Sequence, residues 1–196
     1  QITVEDLAAA DLRGIEIALF SAGSGRSRTY APKFVEAGAA VIDNSSAWRM
    51  DPDVPLIVPE INSHRITGGE KEIIANPNCS TIQLVMALKP IYDHFGIHRM
   101  VVSTYQAVSG SGKTGIAQLE AERRGGKAEN LSYPHPIDLN VLPAIGKLNT
   151  ASGYYEEEEK VVNESRKILE DPKLQASCTA VRVPVIAGHS ESVNLQ

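Results

Sequence analysis

Hydrophobic positions form short runs in the first third of the chain and longer, mixed patterns after Pro77. The run Ile15-Glu-Ile-Ala-Leu-Phe20, closed by Ser21-Ala-Gly-Ser-Gly25, predicts a buried strand followed by a small-residue loop. Residues 26–37 have helical spacing, with Tyr30, Phe34 and Val35 on the apolar face and Gly38 as the stop. Ala39–Asp43, Leu56–Val58 and Glu72–Ala75 predict further strands. Short apolar strands around a helix imply a mainly parallel sheet with βαβ connections.

Beyond Pro77 the periodicity changes. Residues 80–95 are apolar on more than one side, which predicts a buried helix kinked or interrupted at Pro90. His98–Val108 reads as a long strand, and 113–124 as a helix ending at Gly125-Gly126. The Pro-, Gly- and Asn-rich stretch 127–153 reads as a long surface connection. Glu156–Glu170 is amphipathic, opened by acidic residues, with Val161, Val162, Ile168 and Leu169 supplying apolar positions. Ser177–Ile186 and Ser190–Leu195 read as closing strands. The expected organisation is therefore α/β, with a parallel half over 1–77 and an α+β half over 78–196.

Composition narrows the function classes. Over 196 residues, 19 Lys+Arg stand against 24 Asp+Glu, a formal charge of −5. This disfavours nucleic acid or an anionic membrane as the main partner. No apolar run approaches the ~20 residues of a membrane-spanning helix, and no basic-then-apolar leader opens the chain. Two cysteines, Cys79 and Cys178, are too few for a disulfide framework and fit a reducing, cytoplasmic setting. No metal site is expected. The start at Gln1 and the end in Ser192-Val-Asn-Leu-Gln196 read as a chain cut short.

Cys79 follows a strand and Asn76-Pro-Asn78, at the mouth of a helix whose free N–H groups favour negative charge. That setting lowers a thiol pKa and favours a nucleophile; a buried structural cysteine is the competing reading. Cys178, inside an alternating strand, reads as structural. Of the histidines, His189 stands out between Gly188 and Ser190 at a loop between strands, a setting for acid–base work. Arg182, seven residues earlier, could anchor a carboxylate. Ala107-Val-Ser-Gly-Ser-Gly-Lys-Thr114 nearly matches a phosphate-binding loop. An NTPase also needs a later strand ending in Asp for magnesium, and none follows. The loop could still cradle another phosphate through its N–H groups. Arg49, Lys113 and Lys160 are further cations in motif-like surroundings.

Four stretches together carry a resemblance: Val41-Ile-Asp-Asn-Ser-Ser-Ala-Trp-Arg-Met50, Ile74-Ala-Asn-Pro-Asn-Cys-Ser-Thr81, Ser103-Thr-Tyr-Gln-Ala-Val-Ser-Gly110 and Arg182-Val-Pro-Val-Ile-Ala-Gly-His-Ser190. In this order they resemble the signature stretches of the aspartate-semialdehyde dehydrogenase family, across nearly the whole chain. The resemblance implies part of an NADP-binding Rossmann sheet, then a catalytic and dimerisation domain of the glyceraldehyde-3-phosphate dehydrogenase-like type. It implies NADPH-dependent reductive dephosphorylation of L-aspartyl 4-phosphate to the semialdehyde, in lysine, threonine and methionine biosynthesis, by a cytoplasmic homodimer or homotetramer.

Site roles follow by the same resemblance. Cys79 is the implied nucleophile, His189 the general acid/base, and Gln106 the residue that orients the thioester. Arg182 is the implied ligand of the substrate α-carboxylate and Glu157 of its amino group, with Glu156 and Glu158 open alternatives in the acidic run. Arg49, Lys160 and Asn78 are implied for the phosphate, and Ser21, Ala22, Gly23, Ser109 and Gly110 for the cofactor. The family's glycine-rich turn does not occur here and is expected upstream of Gln1; its closing segments are expected beyond Gln196. Two competing readings are an N-acetyl-glutamyl-phosphate reductase, whose cysteine motif differs from Asn78-Cys79-Ser80-Thr81, and an inactive structural fragment.

Overall fold

Alternation, more than run length, decides what the first strand buries. β1 (Ile17–Phe20) turns Ala18 and Phe20 inward and leaves Ile17 and Leu19 at 62% and 78% exposure. The apolar run predicts a buried strand; α1 (Ser24–Glu36) packs on one face of the sheet, and among the described residues Ile17 and Leu19 on the other face are exposed. Phe34 of α1 meets Phe20 edge-to-face at 5.2 Å, inside a core of Ala18, Phe20, Ala31, Phe34, Ala39 and Val41. Gly38 (φ 104) turns the chain from α1 into β2 (Ala40–Asp43). After the short helix α2 (Pro59–Asn62) comes β3 (Ile73–Ala75), and β2 lies between β1 and β3, parallel to both.

The computed structural model describes residues 3–66 and 72–196, and the chain divides into two compact units, Gln1–Asn78 and Cys79–Gln196. Within the first, the strand expected at Leu56–Val58 is only an isolated bridge from Leu56 to Ala75. Pro55 and Pro59 bracket the segment and have no N–H for a ladder. The Asn62 side chain takes the ladder's place: it accepts from Val58 N–H and donates to Leu56 C=O, both at 2.9 Å.

The second unit opens with α3 (Cys79–Phe95) and β4 (Arg99–Gln106) and continues through α4 (Gly112–Arg123) and α5 (Glu156–Ile168). β5 (Gln175–Arg182) and β6 (His189–Leu195) close it. The strand order is β5-β4-β6, with β4 parallel to β5 and antiparallel to β6. α3 buries Leu84, Val85 and Leu88, but Met86, Ile91 and Phe95 are exposed, so one face is covered where more were expected. Pro90 does not interrupt it. Both Pro90 and Met86, whose carbonyl would have bonded to residue 90, are exposed, so water satisfies the freed acceptor. No described helix is long and apolar enough to cross a membrane.

The connection 127–153 is irregular, as expected, but not merely superficial. Tyr133, Ile137 and Leu142 are buried with Val108 and Leu119. Two α4 side chains hold it: Gln118 Oε1 accepts from Ser132 and Tyr133 N–H, and Glu122 Oε2 accepts from Ile137 and Asp138 N–H at 2.7 and 2.8 Å. Burial pushes the Glu122 carboxyl up, but hydrogen bonds from Asp138, Gln118 and Ile137 outweigh it and hold its pKa below the usual 4.5. A depressed folded-state pKa stabilises above the unfolded value and is lost as pH falls through the folded one. Glu122→Ala is expected to cost roughly 1–3 kcal/mol in urea unfolding at pH 7. Its deficit should shrink below about pH 4; a pH-independent deficit would contradict the charge-based staple.

Candidate active site

β4 is the central strand of its sheet, and its last residue is where the candidates meet. The register sets Gln106 opposite Arg182 of β5 on one side and His189 of β6 on the other. Directly opposed residues share a sheet face, so Arg182, Gln106 and His189 form one row across three strands.

Gln106, 1% exposed, is bonded at both ends of its amide. Nε2 donates to Glu157 Oε1 at 3.0 Å, and Oε1 accepts from the Thr104 hydroxyl at 3.2 Å. Glu157 Oε2 accepts from Lys160 Nζ at 3.3 Å, one turn along α5. The neighbouring glutamates are placed differently. Glu158 accepts from Tyr155 N–H, tying down the start of α5, and from Ala180 N–H on β5. Glu156 is exposed, its side chain against Gly146.

The Ala107 peptide orients both flanking residues. Its N–H donates to His189 Nδ1 at 3.0 Å, and its C=O accepts from Arg182 Nη1 at 2.8 Å. With Nδ1 accepting, the neutral ring carries its proton on Nε2. Arg182 is 5% exposed, and its buried Nε has no hydrogen-bond partner among the described residues. A buried guanidinium with an orphaned donor is a natural anion site. Gly110 borders both groups: a Cβ there would lie 2.7 Å from Arg182 Nη1 and 3.3 Å from His189 Nε2.

The 107–114 loop offers no free row of N–H groups at residues 108–110. The chain forms a 3₁₀ turn over Val108–Ser111, and three of its N–H groups are already used. Val108, Ser109 and Gly110 donate to the carbonyls of Val185, Ile186 and Ala107. They cannot cradle a phosphate without breaking these bonds.

Cys79, exposed at the start of α3, carries a thiol whose pKa is raised, against the lowering expected from its helix terminus. Neighbouring protein desolvates the sulfur, and the Glu157 carboxylate adds repulsion; the Ser80 and Cys79 N–H groups and the Ser80 hydroxyl oppose them and lose. Cys178, buried in β5, is pushed up to about 12, first by burial and then by Glu158, Glu191 and Glu157. Iodoacetamide alkylation read by peptide mass spectrometry should therefore label Cys79 and spare Cys178. The Cys79 rate should climb with pH past the ordinary thiol range, because only the thiolate reacts. Fast labelling of Cys79 at pH 6 would contradict the raised thiol.

The remaining candidates lie in the first unit. Ser21, Ala22 and Gly23 are exposed after β1, with Gly23 (φ 87) leading into α1. Arg49, 8% exposed, donates from Nε to Asn76 C=O and from Nη2 to Asn44 C=O. Asn78 is 6% exposed. Sequence reasoning missed Thr104 and Ala107. Ala107 acts through its backbone, which leaves no mark in residue type. Thr104 could have been noticed as the polar position in the buried row Met100, Val102, Thr104 of β4.

Comparison with known proteins agrees on a family. Residues 88–196 match the description "Semialdehyde dehydrogenase, dimerisation domain" and residues 1–68 "Semialdehyde dehydrogenase, NAD binding domain". Aspartate-semialdehyde dehydrogenase of Aquifex aeolicus is 53% identical over 190 residues, covering 94% of this chain and 56% of that relative. The Legionella pneumophila enzyme of the same name is 50% identical, covering 100% and 58%. Among solved structures, aspartate semialdehyde dehydrogenase II of Vibrio cholerae, complexed with ASA, superposes with a TM-score of 0.92 at 45% identity, covering 98% of this chain and 58% of that one. The Candida albicans enzyme with NADP gives 0.66 at 28% identity, covering 92% and 50%. The chain thus spans less than two thirds of the length of these relatives. It belongs to the semialdehyde dehydrogenase family.

Proposed function

We propose that the whole protein reduces L-aspartyl 4-phosphate to L-aspartate 4-semialdehyde with NADPH, through a thioester on Cys79, in lysine, threonine and methionine biosynthesis. The observation that carries this reading is the row Arg182–Gln106–His189, with a buried guanidinium lacking a partner at Nε among the described residues and a neutral ring offering Nε2–H.

The chemistry runs as follows. The Cys79 thiolate attacks the acyl carbon, an S–C bond forms, the C–O bond to phosphate breaks, and phosphate leaves. Arg182 holds the substrate carboxylate and Glu157 its ammonium. An ammonium on Glu157 offsets the negative charge that raises the Cys79 thiol, so substrate binding favours the thiolate. Gln106 donates its remaining amide N–H toward the thioester oxygen. His189 donates from Nε2; taking up the thiol proton requires the ring to release Ala107 N–H. Arg49, Lys160 and Asn78 are assigned to the phosphate, although Lys160 already pairs with Glu157 and Arg49 with two carbonyls.

Ser21–Gly23 fit a nicotinamide cofactor: they are exposed at the carboxyl end of a parallel strand, and Gly23 opens the turn into α1. When bound, that cofactor supplies the hydride. Ser109 and Gly110 are assigned to the same ligand through side-chain and Cα surfaces, since their N–H groups are spent. A homodimer or homotetramer formed through the second unit completes the proposal. The test follows NADPH oxidation by the whole protein with aspartyl phosphate and with N-acetyl-glutamyl phosphate. Turnover of the first supports the proposal; turnover of only the second overturns it. Micromolar NADPH binding by the 196-residue chain itself would dispose of the inactive-fragment reading.

A further inference from the structure

We propose that Thr104 is a positioning residue that acts through Gln106, locking its amide so that one N–H stays aimed for the reacting substrate; this rests on the reaction proposed above. β4 alternates, and its buried face carries Met100, Val102, Thr104 and Gln106 at 0%, 1%, 0% and 1% exposure. At position 104 a valine has nearly the same shape and continues the apolar row, so the hydroxyl is not there for packing. The hydroxyl instead donates to Gln106 Oε1, at 3.2 Å.

The polarity of the chain of bonds is determined. A carboxylate only accepts, and Lys160 lies against the other Glu157 oxygen, so the Gln106 edge facing Glu157 must be its NH₂. The opposite edge is then the carbonyl, which faces Thr104, so the threonine hydroxyl donates. With both ends held in a buried setting, the amide can neither flip nor rotate. A donor on the amide oxygen also polarises the remaining N–H and strengthens it toward a ligand. Glu157 sets which edge faces which side, and Thr104 sets the angle.

The test is Thr104→Val and Thr104→Ser in the whole protein, with Gln106→Ala as reference. Thr104→Val is expected to lower kcat about fivefold to tenfold, the scale of one hydrogen bond, with KM for the acyl phosphate changed by less than about twofold. Thr104→Ser, which keeps the hydroxyl, should recover most of kcat. In a Gln106→Ala background, Thr104→Val should add less than about twofold. The Gln106 side-chain amide resonances, assigned by their loss in Gln106→Ala, should shift in Thr104→Val and return in Thr104→Ser. Unchanged kcat in Thr104→Val, or an equal loss without Gln106, overturns the role. If the whole protein turns over no acyl phosphate, the reaction assignment fails. The amide resonances then decide the lock alone, and unmoved resonances overturn it.

Discussion

Cys79→Ser in the whole protein is expected to lower turnover at least about a thousandfold without altering folding, because the acyl intermediate has no other sulfur to form on. Cys178 offers no substitute: it is 3% exposed in β5 and its thiol pKa stands at about 12, so it stays protonated. Cys178→Ser should therefore keep most activity. The serine hydroxyl at 79 is a far weaker nucleophile than a thiolate, and nothing in the setting compensates. The Glu157 carboxylate acts on that sulfur and opposes ionisation further. Comparable losses in both variants, measured as NADPH oxidation at saturating substrate, would mean the nucleophile is misassigned.

The second large effect is expected at Arg182. Arg182→Leu should lower kcat/KM for the acyl phosphate by roughly thirtyfold to several thousandfold, matching about 2–5 kcal/mol for a buried, hydrogen-bonded charge pair. Stability should move much less. The free protein holds a buried guanidinium whose Nε is unpartnered among the described residues, and removing it relieves desolvation while leaving Ala107 C=O with Gly110 N–H as its remaining donor. A large kinetic defect with a small shift in Tm is the signature of a charge kept for a ligand. Unchanged KM, or loss of folding in step with activity, would place Arg182 in the scaffold instead.

Much of the fold was legible from periodicity, because alternation and helical spacing report directly on which faces are covered. The β1, β2, β3 and β6 runs and the α1, α3, α4 and α5 patterns all correspond to observed elements. The failures have local causes. Leu56–Val58 is apolar enough for a strand, but the flanking prolines have no N–H to donate and the Asn62 side chain takes up Val58 N–H and Leu56 C=O. Pro90 reads as a breaker until its exposure is known.

The candidate site was legible as residue types and not as arrangement. Cys79, Gln106, Arg182 and His189 could be picked from motifs, but only the strand order β5-β4-β6 puts the last three in a row. The Ser-Gly-Ser-Gly motif promised free N–H groups, and the fold spends those of Ser109 and Gly110 on carbonyls. The helix terminus promised a lowered thiol pKa, and a glutamate 78 positions away outweighs it together with desolvation. Ala107 could not be seen at all, since a backbone peptide does its work.

A covalent thioester on Cys79 can be caught directly. The whole protein is mixed with aspartyl phosphate in the absence of NADPH, quenched in acid and digested, and the peptides carrying Cys79 and Cys178 are weighed by mass spectrometry. The Cys79 peptide is expected to carry an aspartyl adduct that disappears when NADPH is added before the quench. Stoichiometric phosphate release with no adduct on Cys79, or an adduct on Cys178, would contradict it.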